Sequence, residues 1–342
     1  MPKQRQKPAR FVLGIITDLH IGRGRNNPVF SNTLIDYIDF VCKEMPNTVK
    51  DIIVNGDIFE DGKSMSYFSF DVFTEVHKKL TNRFHRVIYN VGNHDSASRK
   101  DNTKNLLSLY RNMTASDMHV VDKWETFDII DGDDVLNFMV FSYNRYKPDR
   151  VQPLTNVVFT HQDDMQLAIN GSYRILNGHM HTPSRNLNEP IYNLGVGYQL
   201  SVDDDYRDLG FHVMTIDGTL EKIYYNEKAP IYLTIFVKKN QIEGENPIKW
   251  LMQPQNRELV QDSGEIFVRV DHETSKTTVE KFNGVLATIN SKYTLIDSIT
   301  SAPDAEISVN QSALDTLKHV LSDIGERYQK AESIYKEAIS RQ

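Results

Sequence analysis

Three short apolar runs separated by two helical patterns limit the possible folds of this chain more than any other feature. The runs cover residues 11–16, 51–54 and 86–89, and each is continuous, as in central strands that are buried on both faces. Helical patterns cover about residues 31–45 and 64–80. The order strand, helix, strand, helix, strand predicts an α/β sheet whose strands end at a common edge.

Residues with metal-ligand chemistry follow these three runs and two later ones, where the strands are expected to end. The five motifs are Asp18-Leu19-His20, Gly56-Asp57, Gly92-Asn93-His94-Asp95, Thr160-His161 and Gly178-His179-Met180-His181. They combine carboxylate, amide and imidazole groups without a thiolate, and such ligands suit the hard or borderline ions that act on phosphate esters. One such motif is a weak signal, but five in this order predict a metal site.

The number of candidate ligands indicates two ions. A single catalytic ion must keep open coordination positions, and seven ligands are too many for it. The candidates are Asp18, His20, Asp57, Asn93, His161, His179 and His181. Asp57 is expected to bridge, with one carboxylate oxygen for each ion. His94 offers a titratable proton, and the Asp95 carboxylate is expected to orient its imidazole.

Composition narrows the function and the compartment. A net charge of −7 and a pI near 5.9 argue against a simple basic nucleic-acid binder, although two divalent ions would add positive charge that this count omits. Cys42 is the single cysteine, which excludes an intrachain disulfide and favours a reducing compartment. No apolar run is long enough to cross a bilayer, and no hydrophobic signal segment is evident. We expect a cytoplasmic protein without membrane contact.

The remaining patterns divide the chain into three parts, at residues 1–228, 229–303 and 304–342. Short strands after about residue 117 are expected to form a second, mixed sheet packed on the first. Strands at 231–237 and 266–270, with a polar loop between them and a helix over about 278–292, predict a small α+β domain. In the last part, apolar residues from Leu314 to Ala338 repeat at alternating spacings of three and four, which predicts a helix that packs on a partner helix.

The order of the five motifs resembles that of the calcineurin-like metallophosphoesterases, over residues 11 to about 225. Within that superfamily, the motifs look most like those of the DNA-repair nuclease branch, which holds bacterial SbcD, the meiotic-recombination-eleven nuclease and the recombination nuclease subunit of tailed phages. The segments 192–201 and 208–211 resemble SbcD-type nucleases more selectively. The short chain and the triplet Asp203-Asp204-Asp205 favour a phage-type member, which would act in the bacterial host cytoplasm.

The resemblance implies a fold, a cofactor and a reaction. The fold would be a two-sheet α/β/β/α sandwich with a small α+β capping domain and a C-terminal helix. One manganese ion would be held by Asp18, His20, Asp57 and His181, and the other by Asp57, Asn93, His161 and His179, with magnesium as a possible substitute. A hydroxide activated by both ions would attack the phosphorus in line. His94, steadied by Asp95, would protonate the departing 3′ oxygen.

The implied function is that of a nuclease subunit in DNA repair, recombination or replication. It would act as a 3′–5′ exonuclease on double strands and as an endonuclease on single strands. Two departures from the family pattern stand out: Glu60 occupies a position where some members have histidine, and Gly195-Val196-Gly197 lacks the proline of the SbcD-type turn. The roles that the family assigns to these positions therefore do not carry over to this chain.

Contacts with DNA and with other proteins are expected from three regions. Basic residues that follow the first and central motifs are candidates for gripping the DNA backbone, although charged loop residues are often simply solvated. They are Arg23, Arg25, Arg99, Lys100 and Lys104. The first two helices are rich in aromatic residues, which favours either a homodimer or two faces that both cover the sheet. The family also implies an SbcC-type, SMC-like ATPase that receives residues 310–342.

Two other functions remain open from the sequence. A calcineurin-like phosphatase or phosphodiesterase for small substrates would use the same ligands, but it would need neither the small domain nor the heptad helix. A scaffold that has lost its activity is disfavoured because every ligand position is occupied.

Overall fold

The computed structural model describes residues 10–98, 100–114, 118–163, 169, 172–201, 204–225 and 230–296. Three expectations lie outside these residues. They are the role of Arg99 in DNA binding, the heptad helix within 310–342, and the predicted boundaries next to residues 228 and 303.

Strands and helices alternate in the first third of the chain, and strands dominate the middle. The described strands are β1 (Phe11–Ile16), β2 (Asp51–Asn55), β3 (Arg86–Asn90), β4 (Ser96–Ser98), β5 (Asp101–Asn105), β6 (His119–Val121), β7 (Trp124–Asp131), β8 (Asp134–Phe141), β9 (Val157–Thr160), β10 (Arg174–Asn177), β11 (Ile191–Asn193), β12 (Gly210–Thr215), β13 (Leu220–Tyr224), β14 (Tyr232–Val237), β15 (Glu265–Val270) and β16 (Tyr293–Ile296). The described α-helices are α1 (Arg23–Asn26), α2 (Pro28–Glu44), α3 (Tyr67–Arg83), α4 (Leu106–Thr114), α5 (Pro247–Met252), α6 (Pro254–Asp262) and α7 (Lys276–Ile289).

The first sheet has six strands in the order β13-β12-β1-β2-β3-β6. Strands β1, β2 and β3 are parallel, as the apolar runs predicted; β6 is also parallel to them, whereas β12 is antiparallel to β1. Helices α2 and α3 pack on one face, with Leu34, Val41, Phe73 and Leu80 in the core. Asn27 and Ser66 cap these helices by accepting hydrogen bonds from backbone N–H groups of their first turns. The parallel strands therefore deliver their carboxyl ends to one edge.

A second sheet of five strands packs on the other face, in the order β11-β10-β9-β8-β7. Alternation along β8 explains this layer, because Phe138 faces the first sheet while Met139 and Phe141 face away from it. Among the described residues, Tyr146 and Tyr173 pack on that outer face, and their hydroxyls are 2.8 Å apart. The predicted α/β class with two packed sheets is confirmed.

The expected composition of the second sheet was partly wrong. Strands β6, β12 and β13 were predicted within it, but all three belong to the first sheet. The β7–β8 hairpin turns at Gly132 and Asp133. Strand β12 enters the first sheet because its buried side chains, including Phe211 and Met214, pack on both layers.

Residues 230–296 form a small unit around a parallel sheet in the order β14-β15-β16. Its core contains Leu233, Val268, Trp250 and Phe282. Helices α5 and α6 replace the expected polar loop. Each begins with a proline in its first turn, where the missing N–H carries no penalty. The last helix among the described residues, α7, ends three residues before the predicted position, and β16 follows it.

The side-chain amide of Gln199 joins this unit to the main sandwich. Its Nε2 donates to the carbonyl of Tyr232 and its Oε1 accepts from the N–H of Tyr232, both at 2.8 Å. The Tyr232 ring also lies 6.2 Å from that of Phe30, measured between centroids. No helix among the described residues has the length and apolar character needed to cross a membrane.

Candidate metal centre

The candidate ligands lie on turns that follow strands of both sheets. Asp18, Asp57 and Asn93 come after β1, β2 and β3, whereas the histidines at 161, 179 and 181 come after β9 and β10. Backbone bonds tie the first two turns together, since the N–H of Asp18 donates to Gly56 and that of His20 to Asp57. All seven candidates meet at the shared carboxyl edge of the two sheets.

The atoms of the predicted ligands form two adjoining clusters, and a third group joins His20 to Glu60 and His94. Asp18, His20 and His181 offer atoms that lie within 4.8 Å of one another, and so do Asp57, His161 and His179. Oδ2 of Asp57 lies 3.8 Å from His20 Nε2 and 3.1 Å from His161 Nε2, so this carboxylate stands between the clusters. The Asn93 oxygen lies 3.0 Å from His179 Nδ1.

Three buried ligand atoms indicate that the site is built for a cation. Oδ1 of Asp18, Nε2 of His20 and Nε2 of His161 have no hydrogen-bond partner among the described residues. The 3.1 Å approach of His161 Nε2 to Asp57 lacks hydrogen-bond geometry. Buried polar atoms without partners are costly. A metal ion coordinated by these lone pairs would remove that cost, so the residues fit a metal.

Four of the ligand residues have a strained backbone. The φ angles of Asp18, His20, Asp57 and His179 are 54°, 45°, 49° and 71°, in the left-handed region that non-glycine residues rarely adopt. Such strain costs about 1–3 kcal/mol per residue and concentrates at functional sites. The turns thus hold the ligand side chains in directions that a relaxed strand end would not give.

Two motif glycines permit the close approach of these turns. A Cβ at Gly56 would lie 2.2 Å from Nδ1 of His161, and a Cβ at Gly92 would lie 2.2 Å from Oδ1 of Asp57. Gly56 also has a φ of 91°. The Gly-Asp and Gly-Asn-His-Asp motifs therefore require glycine for lack of space around the ligands.

A buried asparagine layer beneath the site escaped sequence reasoning. The Asn55 carbonyl lies 2.8 Å from Nδ1 of His161, and a carbonyl can only accept. His161 Nδ1 therefore carries the hydrogen, which leaves Nε2 free to bind a metal. Asn90 in turn donates to the Asn55 side chain at 2.9 Å. An asparagine at the last position of both β2 and β3, directly after an apolar run, was the available signal.

The carboxylates give the site a strongly negative field. Burial alone would lower the pKa values of His20 and His161, but neighbouring carboxylates outweigh it and raise them to about 10 and about 9. Burial would raise the pKa of Asp57, yet the charges of His161 and His20 hold it well below its usual range. The field favours positive charge at the ligand atoms, and divalent ions would compete with protons for them.

A sequence model of the calcineurin-like phosphoesterase family matches residues 11–203, which is more than half of the chain and contains every candidate ligand. The chain belongs to this family. Calcineurin-like phosphoesterases bind divalent metal ions, and the clusters are the candidate ligands for them in this metal-dependent phosphoesterase. A search of curated proteins found no match.

One predicted role within the phosphoesterase site was wrong. The Asp95 carboxylate does not orient the His94 ring, because its two oxygens accept the backbone N–H groups of Phe59 and Gly92, each at 2.8 Å. His94 Nδ1 instead lies 2.7 Å from the carbonyl of Glu60. Asp95 therefore joins the second and third turns, and His94 is oriented from the second turn.

His94 borders the ligands of the phosphoesterase. Its half-buried ring lies 5.0 Å from that of His20, measured between centroids and nearly edge-on. Its backbone N–H donates to Oδ1 of Asp57 at 2.9 Å. The ring thus borders the two clusters of predicted ligands, and one of its nitrogens lies within 4.8 Å of ligand atoms of His20 and Glu60.

The predicted DNA-contacting residues differ in their surroundings. Arg23 is half-buried and donates to Glu60 at 2.8 Å and to the carbonyl of Leu200 at 3.3 Å. Arg25, Lys100 and Lys104 are exposed, which leaves them accessible to solvent. Arg23 and Arg25 line a cleft of about 780 Å³ that reaches the small unit.

Three further carboxylates contact the candidate ligands and were not predicted. Glu60 lies 2.7 Å from His20, Asp163 lies 2.8 Å from His179, and Asp204 lies 3.6 Å from His181. Carboxylates commonly hold the second nitrogen of a metal-bound histidine. Their sequence spacing to the histidines is irregular, so no motif marked them.

Proposed function

We propose that this phosphoesterase is a DNA nuclease that uses two divalent ions to hydrolyse backbone phosphodiesters. It would act as a 3′–5′ exonuclease on duplex ends and as an endonuclease on single strands, as a subunit of an SbcCD-like repair complex. The observation that carries the proposal is a cleft that begins at Glu60, which contacts the predicted ligand His20, and extends to Tyr232 and Phe267 of the small unit. A cleft open along two domains suits a polymer better than a small ester.

The chemistry follows from the ligand arrangement. When bound, two divalent ions would polarise the phosphate and lower the pKa of water, with manganese as the expected ion and magnesium as a substitute. Asp57 lies between the two ligand clusters, and its carboxylate would contribute to both. The Glu60 carbonyl keeps one hydrogen on His94 Nδ1, so the doubly protonated imidazolium would donate its second proton, from Nε2, to the departing 3′ oxygen and be left neutral. Arg25 would contact the flanking phosphates.

The test is digestion of end-labelled linear duplex DNA and of a chromogenic phosphodiester, each with Mn²⁺. We expect the wild type to degrade the DNA. The digestion rate of Asp57→Asn should be at least about 100-fold lower, since the carboxylate between the clusters is removed. Asp101→Asn is the matched control, because the Asp101 carboxylate accepts hydrogen bonds from Thr103 outside the ligand clusters. Hydrolysis of the chromogenic ester without DNA cleavage would instead identify an enzyme for small substrates.

We further propose that residues 310–342 bind an SMC-like ATPase. The support is the heptad pattern of the sequence, which lies outside the described residues. Deleting these residues should abolish co-purification with the ATPase while leaving Mn²⁺-dependent nuclease activity intact. A truncated chain that still captured the ATPase would contradict this assignment.

A homodimer through α2 and α3 is also proposed. Tyr37, Phe40 and Phe73 are buried against the sheet of their own chain, whereas Tyr67 is 86% exposed at the start of α3. The contact would therefore centre on Tyr67. Light scattering of the wild type and of Tyr67→Glu tests it, with a dimer expected only for the wild type; a monomeric wild type would refute it.

A further inference from the structure

Glu60 lies at the end of the second turn and contacts two histidines, the predicted ligand His20 and the neighbouring His94. Its backbone N–H donates to the carbonyl of Ile21 at 3.0 Å, which joins the turn to the first motif. Its side chain is 28% exposed. The sequence suggested only a departure from the family pattern at this position.

The side chain of Glu60 determines how His20 presents its ring. Oε2 of Glu60 lies 2.7 Å from His20 Nδ1, and a carboxylate can only accept. Nδ1 therefore keeps its hydrogen, and Nε2 faces Asp18 and Asp57 at 3.8 Å each. This arrangement makes Nε2 the nitrogen available to a metal.

The main chain of Glu60 acts in the same way on His94. The carbonyl lies 2.7 Å from His94 Nδ1 and accepts its hydrogen. Nε2 of His94 is thereby left as the nitrogen that exchanges a proton. One residue thus sets the tautomer of a metal ligand with its side chain and that of the candidate acid with its backbone.

Arg23 fixes the carboxylate of Glu60. Its Nη1 donates to Oε1 at 2.8 Å, while its Nε donates to the carbonyl of Leu200 at 3.3 Å. Both oxygens of Glu60 are therefore engaged, one by Arg23 and the other by His20. The guanidinium prevents the carboxylate from rotating away from the imidazole.

We propose that Glu60 is the positioning residue of the metal centre, which holds His20 for metal binding and orients His94 in place of Asp95. The inference rests on the metal-dependent mechanism proposed above but not on the identity of the substrate. The effects on the two histidines can be separated by mutation. Replacing the Glu60 side chain removes the contact with His20, whereas the backbone carbonyl that contacts His94 remains.

The test compares Glu60→Ala, Glu60→Gln and the control Glu125→Gln in the full chain. Glu125 makes a similar contact, 2.8 Å from His119, away from the site. We expect titration calorimetry with Mn²⁺ to show a 10–100-fold weaker affinity at one of the two sites in Glu60→Ala. The Mn²⁺ affinity of Glu60→Gln should fall less, since its amide oxygen can still accept a hydrogen bond from His20. The affinity of the control should match that of the wild type.

A second measurement separates positioning from a general structural role. Saturating Mn²⁺ should restore most of the activity of Glu60→Ala, because the carbonyl still orients His94. Unchanged affinity at both sites in a folded Glu60→Ala protein would overturn the proposal. Loss of one bound ion at saturation in Glu60→Gln would also overturn it and identify Glu60 as a ligand. A wild type that binds no Mn²⁺ would instead refute the proposed metal-dependent function.

Discussion

Replacing Gly92 by alanine should damage the metal centre through a single methyl group. The added Cβ would lie 2.2 Å from Oδ1 and 2.3 Å from the backbone nitrogen of Asp57, distances that real Cβ atoms do not show. The two turns would have to separate by about 0.8 Å or more to reach a 3.0 Å contact. Because a backbone atom is involved, rotation of the carboxylate alone cannot relieve the clash.

The expected loss follows from that displacement. A misplacement of about 1 Å in a catalytic group can reduce the rate by about 100-fold, equivalent to about 2.7 kcal/mol of transition-state stabilisation. Overpacking should also lower the free energy of unfolding by about 1–3 kcal/mol. The affinity for Mn²⁺ should fall as well, since Asp57 stands between both ligand clusters.

Gly284→Ala is the matched control for this prediction. Gly284 lies in α7, and a Cβ there would meet nothing within 4 Å, so alanine should raise the free energy of unfolding by about 1 kcal/mol. The assays are Mn²⁺-dependent phosphodiester hydrolysis, titration calorimetry and thermal unfolding. If Gly92→Ala kept the metal affinity and rate of the wild type, the close approach of the two turns would not govern the site.

Three further predictions concern the acid, the ions and the core. His94→Gln should lower the turnover rate by about 10²–10⁴-fold with little change in Mn²⁺ affinity measured by calorimetry; a parallel loss of affinity would contradict the role of His94 as acid. Mn²⁺ at 100 times its dissociation constant should stabilise the protein by about 2.7 kcal/mol and raise its melting temperature by about 4 °C, and EDTA should reverse the shift; Asp57→Asn should show a smaller shift. Burial, with the charges of Lys222 and Arg174, holds the pKa of His212 well below its usual value, so the unfolded chain takes up a proton first as the pH falls below about 6.5 and stability is lost there. At pH 5.5 this loss should be about 1.4 kcal/mol, and chemical denaturation of His212→Gln should show a smaller decrease between pH 7.5 and 5.5; an equal decrease would exclude His212 as its source.

The sequence alone determined the elements that carry the site. Continuous apolar runs identify buried strands from local composition, and the parallel order of β1, β2 and β3 follows from the helices between them. The ligands therefore had to gather at one edge of the sheet. Glycine next to Asp57 and Asn93 marked the same turns, because the crowding around them admits no side chain.

Only the tertiary structure decided which distant segments complete that site. Strand β12 pairs with β1 across about 200 residues of chain, and no local periodicity specifies such a partner. The contacts of Asn55 with His161 and of Glu60 with His20 and His94 likewise depend on how the turns pack. The local sequence pattern determines the edge of the sheet at which each strand ends. Which nitrogen of each imidazole is available to a metal or a proton depends on hydrogen-bond acceptors from other turns. Glu60 reaches its two rings only when the turns of the first sheet come together, and Asn55 reaches His161 only when the second sheet packs on the first.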